Sequence, residues 1–250
     1  MRVGIIGLGA IGGVLAARLV ASRREGEEIF LAAGRSARAI REQGLRIDGE
    51  QPVMPPSVAE RLEGTQYDVL LLCTRTDDIE TALLPAASLL APEGTIVCVQ
   101  NGLPEERAAR AVGKGRVLGA VIGWSASASG RGQYKITGGG KFTLGAADAA
   151  GESRVSALIG GGLLAHLIIR LAARVRPRQR SGMLVRLLEG RPAGQVDDLN
   201  GAVVRAASEV GVGAPLNARL VELVHAIERG EERLGPHQLR ALRTSFCAAR

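Results

Sequence analysis

The stretch that most constrains this chain is its opening, Met1-Arg-Val-Gly-Ile-Ile-Gly-Leu-Gly-Ala-Ile-Gly-Gly-Val14. A short apolar run reads as a buried strand, glycines follow as a turn, and Ile11, Val14, Leu15 and Leu19 continue at helical spacing. Gly7, Gly9 and Gly12 stand at G-x-G-x-x-G spacing. The first permits a sharp turn, the second a close approach of backbone to a pyrophosphate, and the third close packing of helix on strand. The anion then rests on the unpaired N–H groups and positive dipole end of the helix that opens near Ala10. Gly7, Leu8, Gly9, Ala10, Ile11 and Gly12 are therefore expected to cradle a dinucleotide. The spacing alone is a weak signal, and the strand before it with the apolar helix after it supplies the context it needs. The competing reading is a glycine-rich turn that binds nothing.

A chain of 250 residues with 46% hydrophobic and 23% charged residues can bury a sizeable core, in one large or two modest domains. No apolar run reaches the roughly 18 residues that span a bilayer, and the opening lacks the charged start and cleavage site of a leader. The expectation is a cytoplasmic protein with no membrane partner. Cys73 and Cys98 fall in strand-like runs and Cys247 near the end, with no CxxC pair or metal-ligand spacing. Free thiols and no metal site are expected.

The net charge of +7 is uneven. Residues 1–150 hold 17 Lys and Arg against 16 Asp and Glu, whereas residues 151–250 hold 15 against 9. Arg170, Arg174, Arg176, Arg178 and Arg180 concentrate the excess. With only 2% aromatic residues there is little to stack on bases, so no nucleic-acid partner is expected and the run reads as a solvated or phosphate-facing surface.

After the first helix, Glu28-Ile-Phe-Leu-Ala-Ala-Gly34 reads as a second strand, followed by Arg35 where an NAD site usually carries an acid for the ribose hydroxyls. A guanidinium there can clasp a 2′-phosphate, so NADP is expected rather than NAD. The competing reading is a surface arginine that touches nothing. Short edge strands and turns are expected over Leu45–Gly49 and Pro52–Pro56, and a strand buried on both faces at Tyr67–Thr74. Thr76 or Asp77 then caps a helix that runs to Leu90. Thr95–Gly102 is the next strand, ending in Gln100-Asn101-Gly102. In open α/β sheets the ligand lies at the carboxyl ends of the strands, which brings Arg75 and Asn101 to the same side as the glycine turn. Asn101 reads equally as a turn former ahead of Gly102. Strands at Val117–Trp124, Gln133–Thr137 and Lys141–Gly145 follow. Between the first two, Ser125-Ala-Ser-Ala-Ser-Gly130 reads as a side-chain-poor loop, either open to a cofactor or merely a link. Near residue 148 the strand-helix alternation gives way to helices alone, including Val196 to Val210 and Ala214 to Arg229. The expected organisation is an α/β dinucleotide-binding domain over residues 1–148 and a smaller all-α domain over 149–250.

Several stretches together resemble the ketopantoate reductase (2-dehydropantoate 2-reductase) family. They are Gly7-Leu-Gly-Ala-Ile-Gly12, Gly34-Arg35, Gln100-Asn-Gly-Leu103, Gly140-Lys-Phe-Thr-Leu-Gly145, and Ser181-Gly-Met-Leu184 through Gly190-Arg-Pro192 to Asp197-Asp-Leu-Asn-Gly201. The resemblance implies an N-terminal Rossmann domain, an all-helical second domain, and hydride transfer from NADPH to the carbonyl carbon of a small 2-keto acid, with a homodimer as one assembly. It further implies that Arg35 holds the 2′-phosphate, that Arg75 stands where the family commonly has a cofactor-contacting lysine, that Asn101 touches nicotinamide and substrate, and that Ala128 lies near the cofactor. Gln195 falls where the family has a glutamate.

The departures concern the chemistry. By the same resemblance, catalysis rests on a lysine of the second domain that polarises the keto group and donates a proton. This chain has Lys114, Lys135 and Lys141 and no lysine beyond them, and Ala157 to Gln179 reads as a shortened replacement for the segment that should carry it. Gly182 replaces a substrate-binding serine. His166 is the titratable group left in that stretch, set against the ordinary reading of a histidine on an apolar helix as structural. A non-catalytic NADP-binding paralogue is the alternative function.

Overall fold

In the computed structural model the chain divides into two compact units, Met1–Gln179 and Arg180–Arg250. The structure describes residues 1–64, 66–140, 142–146 and 196–233, with Gly235, His237 and Gln238. The boundary expected near residue 148 lies outside the described residues.

The first unit is built on a seven-stranded sheet. Its strands are β1 (Arg2–Ile6), β2 (Glu28–Ala32), β4 (Ser57–Ala59), β5 (Tyr67–Leu72), β6 (Leu90–Cys98), β7 (Val117–Ile122) and β10 (Phe142–Gly145). The spatial order is β10-β7-β6-β5-β1-β2-β4. All neighbours are parallel except β10, which runs antiparallel to β7. The chain winds outward from β1 through β2 to β4, then returns to the other side of β1 with β5. That reversal is the Rossmann-type switch point, and it lies between β1 and β5.

Alternation along the strands sorts the core into two faces. Val3, Ile5, Ile29, Leu31, Val69, Leu71 and Val97 lie on one side, while Ile6, Ala32, Leu70, Leu72, Ile96 and Cys98 lie on the other. The second face is covered by α3 (Ile79–Ala87) and α4 (Pro104–Val112), through Ile79, Leu83 and Ala108. The first is covered by α1 (Ala10–Ser22), and α2 (Ala37–Gln43) joins the same core through Ala37 and Ile40.

Helix α1 has no polar face. Gly12 to Ala17, Leu19 and Val20 are all buried, because a second sheet lies over the side of the helix turned away from the first. That sheet consists of β3 (Arg46–Ile47), β9 (Gln133–Gly138) and β8 (Ser125–Gly130). β9 pairs antiparallel with β8 and parallel with β3. The layers are sheet, helix, sheet, and Tyr134 of β9, 2% exposed, packs into the same core as Val14 and Leu15.

Two local expectations are corrected. Ser125–Gly130 is a strand and not a loop, since its six small residues gain strand conformation from pairing with β9 rather than from their own propensity. The helix after Asp78 ends at Ala87 instead of Leu90, because Leu90 pairs with Tyr67 and the Tyr67 N–H donates to the Leu89 carbonyl at 2.7 Å. A 3-10 turn, Thr76–Asp78, precedes that helix, and no side chain caps it.

The described part of the second unit is helical. A π-helical turn over Asp197–Gly201 runs into the helix Ala202–Glu209, and the helix Pro215–Glu228 packs against both. Asp, Asn and Gly are poor helix formers, and here the Asp197 and Asn200 side chains bond to the facing helix. Asn200 Nδ2 donates to Asn217 Oδ1 at 2.9 Å, and His225 Nε2 lies 2.9 Å from Asp197 Oδ2.

Candidate dinucleotide site

The glycine turn lies at the switch point, at the carboxyl end of β1. Gly7 N–H donates to Ala32 O at 3.0 Å on one side, while Cys73 N–H donates to Ile6 O at 2.8 Å on the other. The turn is thereby stitched to the ends of β2 and β5. Each glycine answers to a different requirement. Gly7 has φ of +92°, and a Cβ there would stand 2.9 Å from Thr74 N. A Cβ on Gly12 would stand 2.0 Å from the Gly7 carbonyl oxygen. A Cβ on Gly9 would meet nothing within 4 Å. Gly7 and Gly12 are fixed by the protein's own backbone, whereas Gly9 is open on the side from which a ligand's phosphates would approach.

Helix α1 begins directly after Gly9 with no side-chain cap and no acid in its first turn. Its leading N–H groups and dipole are left to an outside anion. Leu8 and Ile11 are half-buried against the core, and Ala10 is half-buried at the first helical position. The turn thus fits a pyrophosphate in backbone shape and in electrostatics.

The flanking residues divide. Arg35 lies in the 3-10 turn Gly34–Ser36 that closes β2, three residues beyond the Ala32 carbonyl that holds Gly7. It is exposed and makes no hydrogen bond or ion pair among the described residues. Arg75 follows β5 and pairs with Asp77 at 3.1 Å, both side chains largely exposed, so the pair is weak. Asn101 is half-buried in the bend after β6, where Gly102 takes φ of +92°. Next to it, Gln100 Nε2 lies 3.5 Å from Thr74 Oγ1 and links the ends of β6 and β5. Ala128 is exposed in β8, paired with Tyr134. His166, Gly182 and Gln195, the Arg170 to Arg180 run and the Ala157 to Gln179 replacement lie outside the described residues.

Lys135 pairs with Asp48 at 3.3 Å in the second sheet, and Lys114 lies in the 3-10 turn that leads into the amino end of β7. The thiols are quiet. Burial raises Cys98 to about 12, with Glu105 adding to it, and burial together with Cys98 raises Cys73 further. No group of His, Cys, Asp and Glu able to hold a metal occurs among the described residues. No helix among them is long and apolar enough to cross a membrane.

Two residues at the turn escaped the sequence reading. A Cβ on Gly13 would stand 2.0 Å from Tyr134 Cζ, and the Tyr134 hydroxyl donates to the Leu8 carbonyl at 3.1 Å. The sequence signal for them was a helix with no polar face and a second glycine after Gly12.

Residues 3–149 match the family model described as ketopantoate reductase PanE/ApbA, and residues 143–228 match its C-terminal counterpart. The chain belongs to the ketopantoate reductase family. A 2-dehydropantoate 2-reductase of Mesorhizobium japonicum is 30% identical over 233 residues, covering 82% of this chain and 69% of that protein. Solved structures of similar fold include a PanE/ApbA family ketopantoate reductase from Ralstonia eutropha JMP134. It has a TM-score of 0.65 and 22% identity, covering 93% of this chain and all of that one. D-mandelate dehydrogenase in a ternary structure with NADH and anilino(oxo)acetate gives a TM-score of 0.70 at 20% identity, covering 92% of this chain and 99% of that one. Ketopantoate reductases are thus its relatives in both sequence and fold, and oxidoreduction of the 2-dehydropantoate 2-reductase type is the family's chemistry.

Proposed function

We propose that this member of the family binds NADP(H) at the glycine turn and acts on a small 2-keto acid of the ketopantoate type. The observation that carries the reading is the division of labour among Gly7, Gly9 and Gly12, with Gly9 open beside the uncapped start of α1. Arg35, exposed and free of partners among the described residues at the end of β2, supports NADP over NAD, because a guanidinium offers paired donors to a 2′-phosphate. Bound there, the cofactor supplies the hydride. The chain's part is to hold the pyrophosphate on N–H groups, to engage the 2′-phosphate through Arg35, and to border the reacting end with Asn101 at the end of β6.

A second reading, a non-catalytic NADP(H)-binding paralogue, is favoured by one observation: no lysine occurs beyond residue 141, and Lys135 is engaged with Asp48 at the second sheet. Arginine holds its proton too tightly to donate it, so an arginine at the site can stabilise an oxyanion but not protonate an alkoxide. Positioning alone lowers a barrier by several kcal/mol, which leaves room for slow turnover.

Trp124 is the chain's single tryptophan and is buried, which makes its fluorescence a reporter for NADPH by energy transfer. Saturable quenching by NADPH, together with ketopantoate-dependent loss of absorbance at 340 nm above the enzyme-free rate, establishes the reductase. Quenching without turnover establishes the binder. No quenching and no calorimetric heat with folded protein removes both.

A further inference from the structure

The glycine turn is held from above as well as from below. Tyr134 belongs to β9 of the second sheet, yet its ring fills the space over Gly13 and its hydroxyl donates to the Leu8 carbonyl at 3.1 Å. Leu8 is the residue between the first two glycines of the turn, so this contact acts on the segment that faces the ligand. Burial raises the phenol to about 12, which keeps it protonated and a donor at neutral pH.

The consequence follows from peptide geometry. No cis peptide bond occurs among the described residues, and in a trans peptide the carbonyl and the N–H point to opposite sides. Holding the Leu8 oxygen toward the second sheet turns the Gly9 N–H away from it. Were this peptide to rotate, a carbonyl dipole would replace an N–H among the groups that meet the anion, exchanging attraction for repulsion. Glycine on the far side of the peptide leaves such rotation sterically open, since nothing lies within 4 Å of a Cβ at Gly9.

The geometry points to Tyr134 as a positioning residue for cofactor binding, its hydroxyl fixing the Leu8–Gly9 peptide in the orientation that offers an N–H to the pyrophosphate. This rests on the NADP(H) reading of the site. A hydroxyl that served stability alone would lower the melting temperature when removed and leave the affinity of the folded protein unchanged.

The test is Tyr134→Phe, which keeps the ring over Gly13 and removes only the donor. Calorimetry with NADPH and with adenosine 2′-phosphate, which lacks the pyrophosphate, is run well below the melting temperature. The expected result is NADPH binding weakened roughly three- to tenfold, the loss of one hydrogen bond's worth of orientation, with adenosine 2′-phosphate unchanged. Gly13→Ala, which displaces the ring, is expected to give the same selective loss by a second route. NADPH affinity equal to wild type in Tyr134→Phe, or an equal loss for both ligands, overturns the assignment. Absence of NADPH binding by the wild-type chain removes the dinucleotide reading itself and this inference with it, an outcome separate from the other two.

Discussion

Gly12 sits so close to Gly7 that a Cβ on the helix residue would come within 2.0 Å of the turn residue's carbonyl oxygen. The carbonyl belongs to a turn tied into the sheet and the Cβ would be carried by a buried helix backbone, so neither can yield cheaply. Gly12→Ala is expected to destabilise the fold by about 1–3 kcal/mol, the cost of overpacking. Gly9→Ala is expected to change stability by less than about 0.5 kcal/mol, because Gly9 has φ of −67° and open space at its Cβ. Its effect falls on NADPH affinity instead. Denaturant melts paired with NADPH titrations separate the two, and a Gly9→Ala variant that binds NADPH normally would contradict the placement of the pyrophosphate.

Arg35 supplies a charge that the described fold does not use. Arg35→Ala should leave the melting temperature unaltered within error while weakening NADPH roughly tenfold to a hundredfold, the range for losing a charge-assisted hydrogen bond. NADH affinity should barely change. Parallel loss for both dinucleotides would mean that Arg35 does not read the 2′-phosphate.

Glu105, in the first turn of α4, rests its carboxyl against Gly119, where a Cβ would come within 2.1 Å of Oε1. Burial raises its pKa first, with Glu106 adding to it against a lowering backbone hydrogen bond. The folded carboxyl thus keeps its proton to higher pH than the unfolded one, so this group lowers stability progressively as pH rises from the unfolded carboxylate range through the folded value. Glu105→Gln is expected to melt above wild type at pH 7, with the gap closing at acid pH. A gap that stays constant across that range would show that packing and not ionisation is responsible.

Cys98 is fully buried, and that burial holds its thiol protonated, whereas Cys73 is half-buried. In a Cys73→Ser, Cys247→Ser background Cys98 should not react with a thiol reagent at pH 8 until the protein is unfolded, because the thiolate is the nucleophile. Fast labelling of native protein would mean that the carboxyl end of β6 opens locally.

The parallel strands and the turn were legible because their signals are local. Val-Gly-Ile-Ile and Tyr-Asp-Val-Leu-Leu-Leu-Cys declare strands buried on both faces, and Gly7, Gly9 and Gly12 declare the turn by spacing. Strand β8 was not legible. Ser-Ala-Ser-Ala-Ser-Gly carries no β-branched or aromatic residue, and only its pairing with β9 makes it extended. The end of α3 was misplaced for a similar reason, since Leu90 is claimed by Tyr67 in a neighbouring strand and nothing within Ala86-Ala-Ser-Leu-Leu90 announces a stop.

By itself the sequence determined the strand, the glycine turn and the apolar helix of the first twenty residues, along with Arg35 at the next strand's end. Those depend on backbone preferences and periodicity written into consecutive residues. Tertiary structure decided that α1 lies between two sheets and that Tyr134 reaches Leu8, 126 residues away. Such a contact exists only once the chain has closed, because hydrogen-bond partners this far apart are chosen by which layers can bury α1 on both sides and not by either residue's neighbours.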